Sequence, residues 1–150
     1  MILGLKLDRR LIAACGIEDE QFAFNDSRYL GGRRSVSEAL PSFLRRAIDQ
    51  AHPRAIYVYA PGADGSSDAT SARLAEIEAV SMGIPCKHLT RSDLFHSFGL
   101  AALRTRTELR DTVLSVWPEL DQQAIERQTP LAEAAAAALI GDLREEWPPV

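Results

Sequence analysis

Few side chains in this sequence are placed to do chemistry, and the first are Lys6 and Asp8 in the opening stretch MILGLKLDRR. Two residues apart on an apolar strand, they share one face. A carboxylate in such a place can hold a divalent cation, whereas a lysine ammonium repels one. The other acids that could join a site are Asp64 and Asp68, near the stretch ADGSSD, and Glu133 and Asp142, late in the chain. Loop aspartates commonly bond their own backbone as turn formers. His52, His88 and His96 show no metal-ligand spacing and no serine or cysteine partner, so they read as structural. Cys15 and Cys86, each in apolar surroundings, read as small core residues rather than a disulfide framework or a metal cluster. The stretch PGADGSSDATS lacks the G-x-x-x-x-G-K-[ST] pattern of a phosphate-binding loop.

The elements that must position these residues follow from periodicity. MILGLKL, LIAACGI and EQFAFND, the last extendable through Arg28–Leu30, read as three strands. Short polar connections join them, which predicts an antiparallel meander. Apolar residues at Val36, Leu40, Phe43, Leu44, Ala47 and Ile48 have helical spacing, with Ser35 or Ser37 as cap and Pro41 near the first turn. The run 54–62, rich in β-branched and aromatic residues, predicts a fourth strand. A helix over 69–83 ends at Gly83, a strand covers 84–89, and a short helix capped by Ser92 covers 91–99. A Thr105/Glu108 capping box opens the next helix, over 105–120. Thr129-Pro130 is expected to start the last, which runs to Trp147. Trp117 is expected in the core, and Trp147 is expected to dock the tail.

The bulk numbers agree with one α/β domain over residues 1–150, in which a mixed five-stranded sheet carries helices on both faces. The chain is 46% hydrophobic and 25% charged, an ordinary globular composition. No apolar run reaches the roughly 18 residues of a membrane span, and no secretory signal is evident, so a cytoplasmic protein is expected. A net charge of −4 argues against strong overall attraction to nucleic acid. Local clusters remain: Arg9 and Arg10, Arg33 and Arg34, then Arg104, Arg106 and Arg110. Such clusters are either solvated faces or phosphate contacts.

The residues also resemble a known family. ILGLKLDRRLIAACGI is similar to the first hairpin of RuvC-type Holliday-junction resolvases, which typically reads I-L-G-I-D-P-G before the second strand. PRAIYVYAPGA resembles their fourth strand, SARLAEIEAVSMGIPCKHLTRSDLFHSFG the helix, strand and short helix after it, and TRTELRDTVLSVW their basic helix. AEAAAAALIGD resembles the closing D-A-A-D-A-L-A helix. The resemblance implies a ribonuclease H-like fold. For the family it implies hydrolysis of phosphodiesters with two Mg²⁺ ions held by carboxylates. Carried over residue by residue, the first-strand aspartate falls on Lys6 and the fourth-strand glutamate on Tyr59. The closing-helix acids fall on Glu133 and Ala136.

With those acids largely replaced, the leading expectation is a catalytically degenerate RuvC-like protein that holds no metal. It would bind nucleic acid weakly, through Arg9, Arg33, Arg34, Arg104, Arg106 and Arg110, or serve as a protein-interaction module. An active Mg²⁺-dependent nuclease with a relocated acidic site, drawn from Asp8, Asp64 and their neighbours, is the alternative. A structural homodimer is the third reading. Two readings of Lys6 stay open: a packed stem whose head snorkels to solvent, or an ammonium that fills the former metal site and pairs with Glu133. Tyr59 is expected to be a core aromatic whose hydroxyl is tied to a neighbour.

Overall fold

The computed structural model describes residues 1–8, 10–31, 35–60, 67–96 and 105–146, with residues 67–69, 96 and 146 described in their main chain only. Five strands lie in one sheet: β1 (Ile2–Leu7), β2 (Leu11–Glu18), β3 (Gln21–Tyr29), β4 (Ala55–Tyr59) and β5 (Cys86–Leu89). Their order is β3-β2-β1-β4-β5. The meander forms as expected, with β1, β2 and β3 antiparallel. β4 then joins β1 in parallel, and β5 joins β4 in parallel. Parallel pairing needs a crossover, which α1 (Val36–Ala51) and α2 (Ser67–Ser81) supply. They are followed by α3 (Arg91–His96), α4 (Arg106–Val116), a 3₁₀ turn (Pro118–Gln122) and α5 (Ile125–Glu146). None of the described helices is long and apolar enough to cross a membrane.

The sheet has helices on both faces. Leu3, Leu5, Ile12, Ala14, Ile56 and Val58 pack beneath α1 and α2. The opposite face, with Ile2, Ala13, Cys15, Tyr57 and Tyr59, packs beneath α4 and α5. Central strands buried on both sides read as continuous apolar runs, and β1 and β4 do so. The alanine run Ala134–Ala138 lets α5 lie almost against β1, and every one of its residues is buried. Gly4 completes this approach, since a Cβ there would sit 1.9 Å from the Ala134 carbonyl oxygen.

Several local expectations needed revision. α5 begins at Ile125, so Pro130 lies inside it. The Gln128 side-chain amide donates to the carbonyls of Asp121 and Gln123 and ties the preceding turn to the helix, a tertiary arrangement that periodicity does not report. Thr90, rather than Ser92, caps α3 by exchanging hydrogen bonds with Asp93. Asp68 lies in the first turn of α2 and not in a loop. The helix after Thr105 stops at Val116, because Pro118 cannot continue it. Ser35 and Thr105 do cap their helices, accepting from the N–H groups of Glu38 and Glu108. Trp117 is buried, with its ring against Phe22.

Candidate functional site

β1 and β4 end side by side, with Lys6 opposite Tyr59 in the parallel register. The carboxyl ends of neighbouring parallel strands are where open α/β sheets usually place ligands. Both side chains point to the α5 face, because alternation along β1 sends Leu5 and Leu7 to the other. Glu133, on the sheet-facing side of α5, closes the site from above and is 1% exposed.

The charges do not pair as the sequence suggested. Glu133 is taken by the Arg106 guanidinium, at the first turn of α4, and not by Lys6. Arg106 also reaches Asp8 at 3.9 Å. Its guanidinium is the longer, forked donor and enters from outside the sheet, whereas Lys6 is fixed to the pleat. The Lys6 ammonium instead lies 4.8 Å from the centre of the Tyr59 ring, a cation–π contact.

Lys6 is 5% exposed and Tyr59 2% exposed, and neither polar tip hydrogen-bonds another described residue. No fully buried side-chain nitrogen or oxygen among the described residues lacks a partner. The ammonium and the hydroxyl therefore both reach solvent, at the mouth between β1, β4 and α5. The expected hydroxyl tie of Tyr59 is replaced by the lysine over its ring. Burial, and then the nearby Glu133 carboxylate, push the Tyr59 hydroxyl up to about 12, with Arg91 and Arg106 opposing, so it stays a donor. Arg91, which also stacks on Phe95 at 4.2 Å, was not singled out in the sequence, because no motif or spacing marks it.

The remaining acids and bases are placed elsewhere. Asp142 lies nine residues beyond Glu133, about 13 Å along the helix. There it accepts the Glu20 N–H at 3.1 Å and pairs with Arg54 at 3.3 Å. Glu20 and Asp19 both have positive φ, so this carboxylate steadies a tight β2–β3 turn. Arg110 pairs with its neighbour Asp111. His52 ends α1 in the left-handed region, and His88 Nε2 meets the Ala60 carbonyl oxygen at 3.1 Å. Cys15 is buried, donates to the Leu131 carbonyl oxygen, and has its thiol pushed far up by burial. Cys86 is only half-buried, a departure from the core position expected of it. Arg9, Arg33, Arg34, Asp64, Arg104 and Trp147 lie outside the described residues, as does the His96 side chain.

The donor chemistry does not fit a pair of Mg²⁺ ions. Such a pair needs several carboxylate oxygens. The four positions that the resemblance assigns to acids hold an ammonium, a phenol, a methyl and one carboxylate already bonded to a guanidinium. Among the described residues, no three His, Cys, Asp or Glu side chains converge.

Comparison with known proteins places the fold. No family model and no curated protein matches the sequence. Solved structures do match. Thermus thermophilus RuvC in complex with a Holliday junction substrate superposes with a TM-score of 0.74 at 11% identity, covering 98% of this chain and 95% of that one. Another Thermus thermophilus RuvC structure gives 0.71 at 12% identity, covering 97% and 95%. The yeast mitochondrial Holliday junction resolvase Ydc2 gives 0.57 at 9% identity, covering 97% and 81%. The chain has the RuvC-like, ribonuclease H-like fold.

Proposed function

We propose that this protein binds branched nucleic acid in the manner of a resolvase and does not cleave it by two-metal chemistry. The observation that carries the reading is the buried pairing of Glu133 with Arg106, beside Lys6 over Tyr59. It leaves no free carboxylate at the four positions where the family's metal ligands would fall. Repulsion between the Lys6 ammonium and a cation a few ångströms away is on the order of kcal/mol even when strongly screened. Support for the ligand class comes from the structural neighbours: one is a RuvC seen with a Holliday junction, and another is a fowlpox virus resolvase seen with junction DNA.

The test is a binding and cleavage assay on synthetic four-way junctions and on RNA–DNA hybrids, with Mg²⁺ or Mn²⁺. The expected outcome is junction binding that weakens steeply with salt and no metal-dependent product. Cleavage that disappears in Asp8→Asn or Asp64→Asn would show that the acidic site has moved, which is the competing reading. A homodimer is a further reading, favoured by one feature. Leu74, Ile77 and Val80 form an exposed apolar stripe along α2, with Ile77 66% exposed. Light scattering of wild type against Ile77→Asp decides it.

A further inference from the structure

The Lys6 ammonium and the Tyr59 hydroxyl are donors on side chains more than nine-tenths buried, and neither has a hydrogen-bond acceptor among the described residues. Lys6 lies over the Tyr59 ring, and the Arg106 and Arg91 guanidiniums are near enough to act electrostatically on the Tyr59 hydroxyl. Two carboxylates are near, Glu133 and Asp8, and both are engaged by Arg106. The stems of Lys6 and Tyr59 are buried while their tips face water. Glu133 does not serve as the acceptor, because Arg106 holds it. An anion from outside can take the place of that water.

We infer that Lys6 and Tyr59 form a seat for a phosphate group, which binds to the ammonium and the phenol directly, without a bridging metal. This rests on the nucleic-acid reading above for its biological source, a backbone phosphodiester. Free phosphate carries the same chemistry. The site would thus keep hold of a phosphate while the charge that holds it has moved from bound cations to the chain itself. Lys6 donates charge-assisted hydrogen bonds. Tyr59 donates one more and fixes the ammonium over its ring.

The chain has only two lysines, Lys6 and Lys87, which makes a direct test simple. Lysine-selective ¹³C labelling gives one Hε–Cε signal for each. The intact protein is titrated separately with inorganic phosphate, with diethyl phosphate and with an immobile four-way junction. Saturable movement of the Lys6 signal with the junction, while Lys87 stays still, is expected. Lys6→Met should lower junction affinity about tenfold, the loss of one charged hydrogen bond. It should also reduce the slope of log affinity against log salt by about 0.9. Tyr59→Phe should cost about threefold, and Lys87→Met nothing. If the Lys6 signal moves with inorganic phosphate but the junction does not bind, the seat stands for the free ion and the nucleic-acid reading falls. If the junction binds and Lys6 does not move, the seat is refuted and the nucleic-acid reading survives. Equal, unsaturable movement of both lysines with every anion also refutes it.

Discussion

Both lysines of the chain lie over a tyrosine ring of β4, near a glutamate of α5, yet the two triads end in different states. Between β4 and β5, Tyr57 donates to Glu145 Oε1 at 2.9 Å, and Lys87 reaches the same oxygen at 3.3 Å and the Tyr57 hydroxyl at 3.4 Å. Every polar tip there has a partner within the triad. Two residues further along β4, between β1 and β4, Arg106 has taken Glu133, and the Lys6 and Tyr59 tips are left facing solvent from buried side chains. The same residue types thus make a closed surface network in one place and an open, donor-rich mouth in the other. The difference comes from one extra guanidinium, which takes the acceptor from Lys6 and Tyr59 that Lys87 and Tyr57 keep.

Both triads depend on the spacing between α5 and the sheet, so the largest effect is expected where that spacing is set. Gly4→Ala places a methyl against the Ala134 carbonyl and must lift the helix. A loss of about 3 kcal/mol in urea denaturation is expected, the upper range for overpacking. An unchanged midpoint would mean that α5 does not press against β1 at Gly4. Next comes the guanidinium that separates the two cases. Arg106→Ala strands the Glu133 carboxylate, whose side chain is 2% exposed, while Arg106 itself is half-exposed. The half-exposed partner brings the expected loss to about 2 kcal/mol, below that of a fully buried pair. Adding Glu133→Gln should recover most of it.

Lys6→Met tests the open triad alone. The methionine fills the same channel and gives up only the cation–π contact of an ammonium that water already solvates, so stability is expected to change by less than about 1 kcal/mol while phosphate affinity falls. A larger loss of stability would show that Lys6 has a structural partner besides Tyr59. A pH series probes its neighbour. Tyr59 is raised from 10.0 to about 12 in the folded protein. A group raised on folding contributes fully below its unfolded value and loses that contribution as pH climbs to its folded one. Stability should therefore decline between pH 10 and about 12, and the decline should be shallower in Tyr59→Phe. The smallest effect belongs to the closed triad. Lys87 is 58% exposed, and Lys87→Met should cost at most about 0.5 kcal/mol, as exposed pairs do.

Much of the fold was legible because its signals are local. Apolar runs broken by DRR and EDE gave the meander, helical spacing gave α1, and the hydroxyl caps Ser35 and Thr105 sat where periodicity placed them. The start of α5 was misplaced because Pro130 resembles a first-turn proline, and only contacts with the preceding turn carry the helix back to Ile125. The site was legible in part. Lys6 and Tyr59 were singled out by their place in a family pattern, and the sheet register makes them neighbours. The partner of Glu133 was misread, and Arg91 was missed, because side chains far apart in sequence leave no periodic trace.

The sequence by itself determined which groups are present: an ammonium and a phenol at the ends of two strands, and one acid at the start of an alanine run. Backbone alternation then settles which face each takes, since a strand has period two. Only the tertiary structure decided who neutralises whom. That choice depends on α4 arriving over the mouth with Arg106 at its first turn, closer to Glu133 than the lysine fixed in the pleat. In a mostly buried site a single such pairing sets which donors are left over, and the leftover donors are what the proposed phosphate seat draws on.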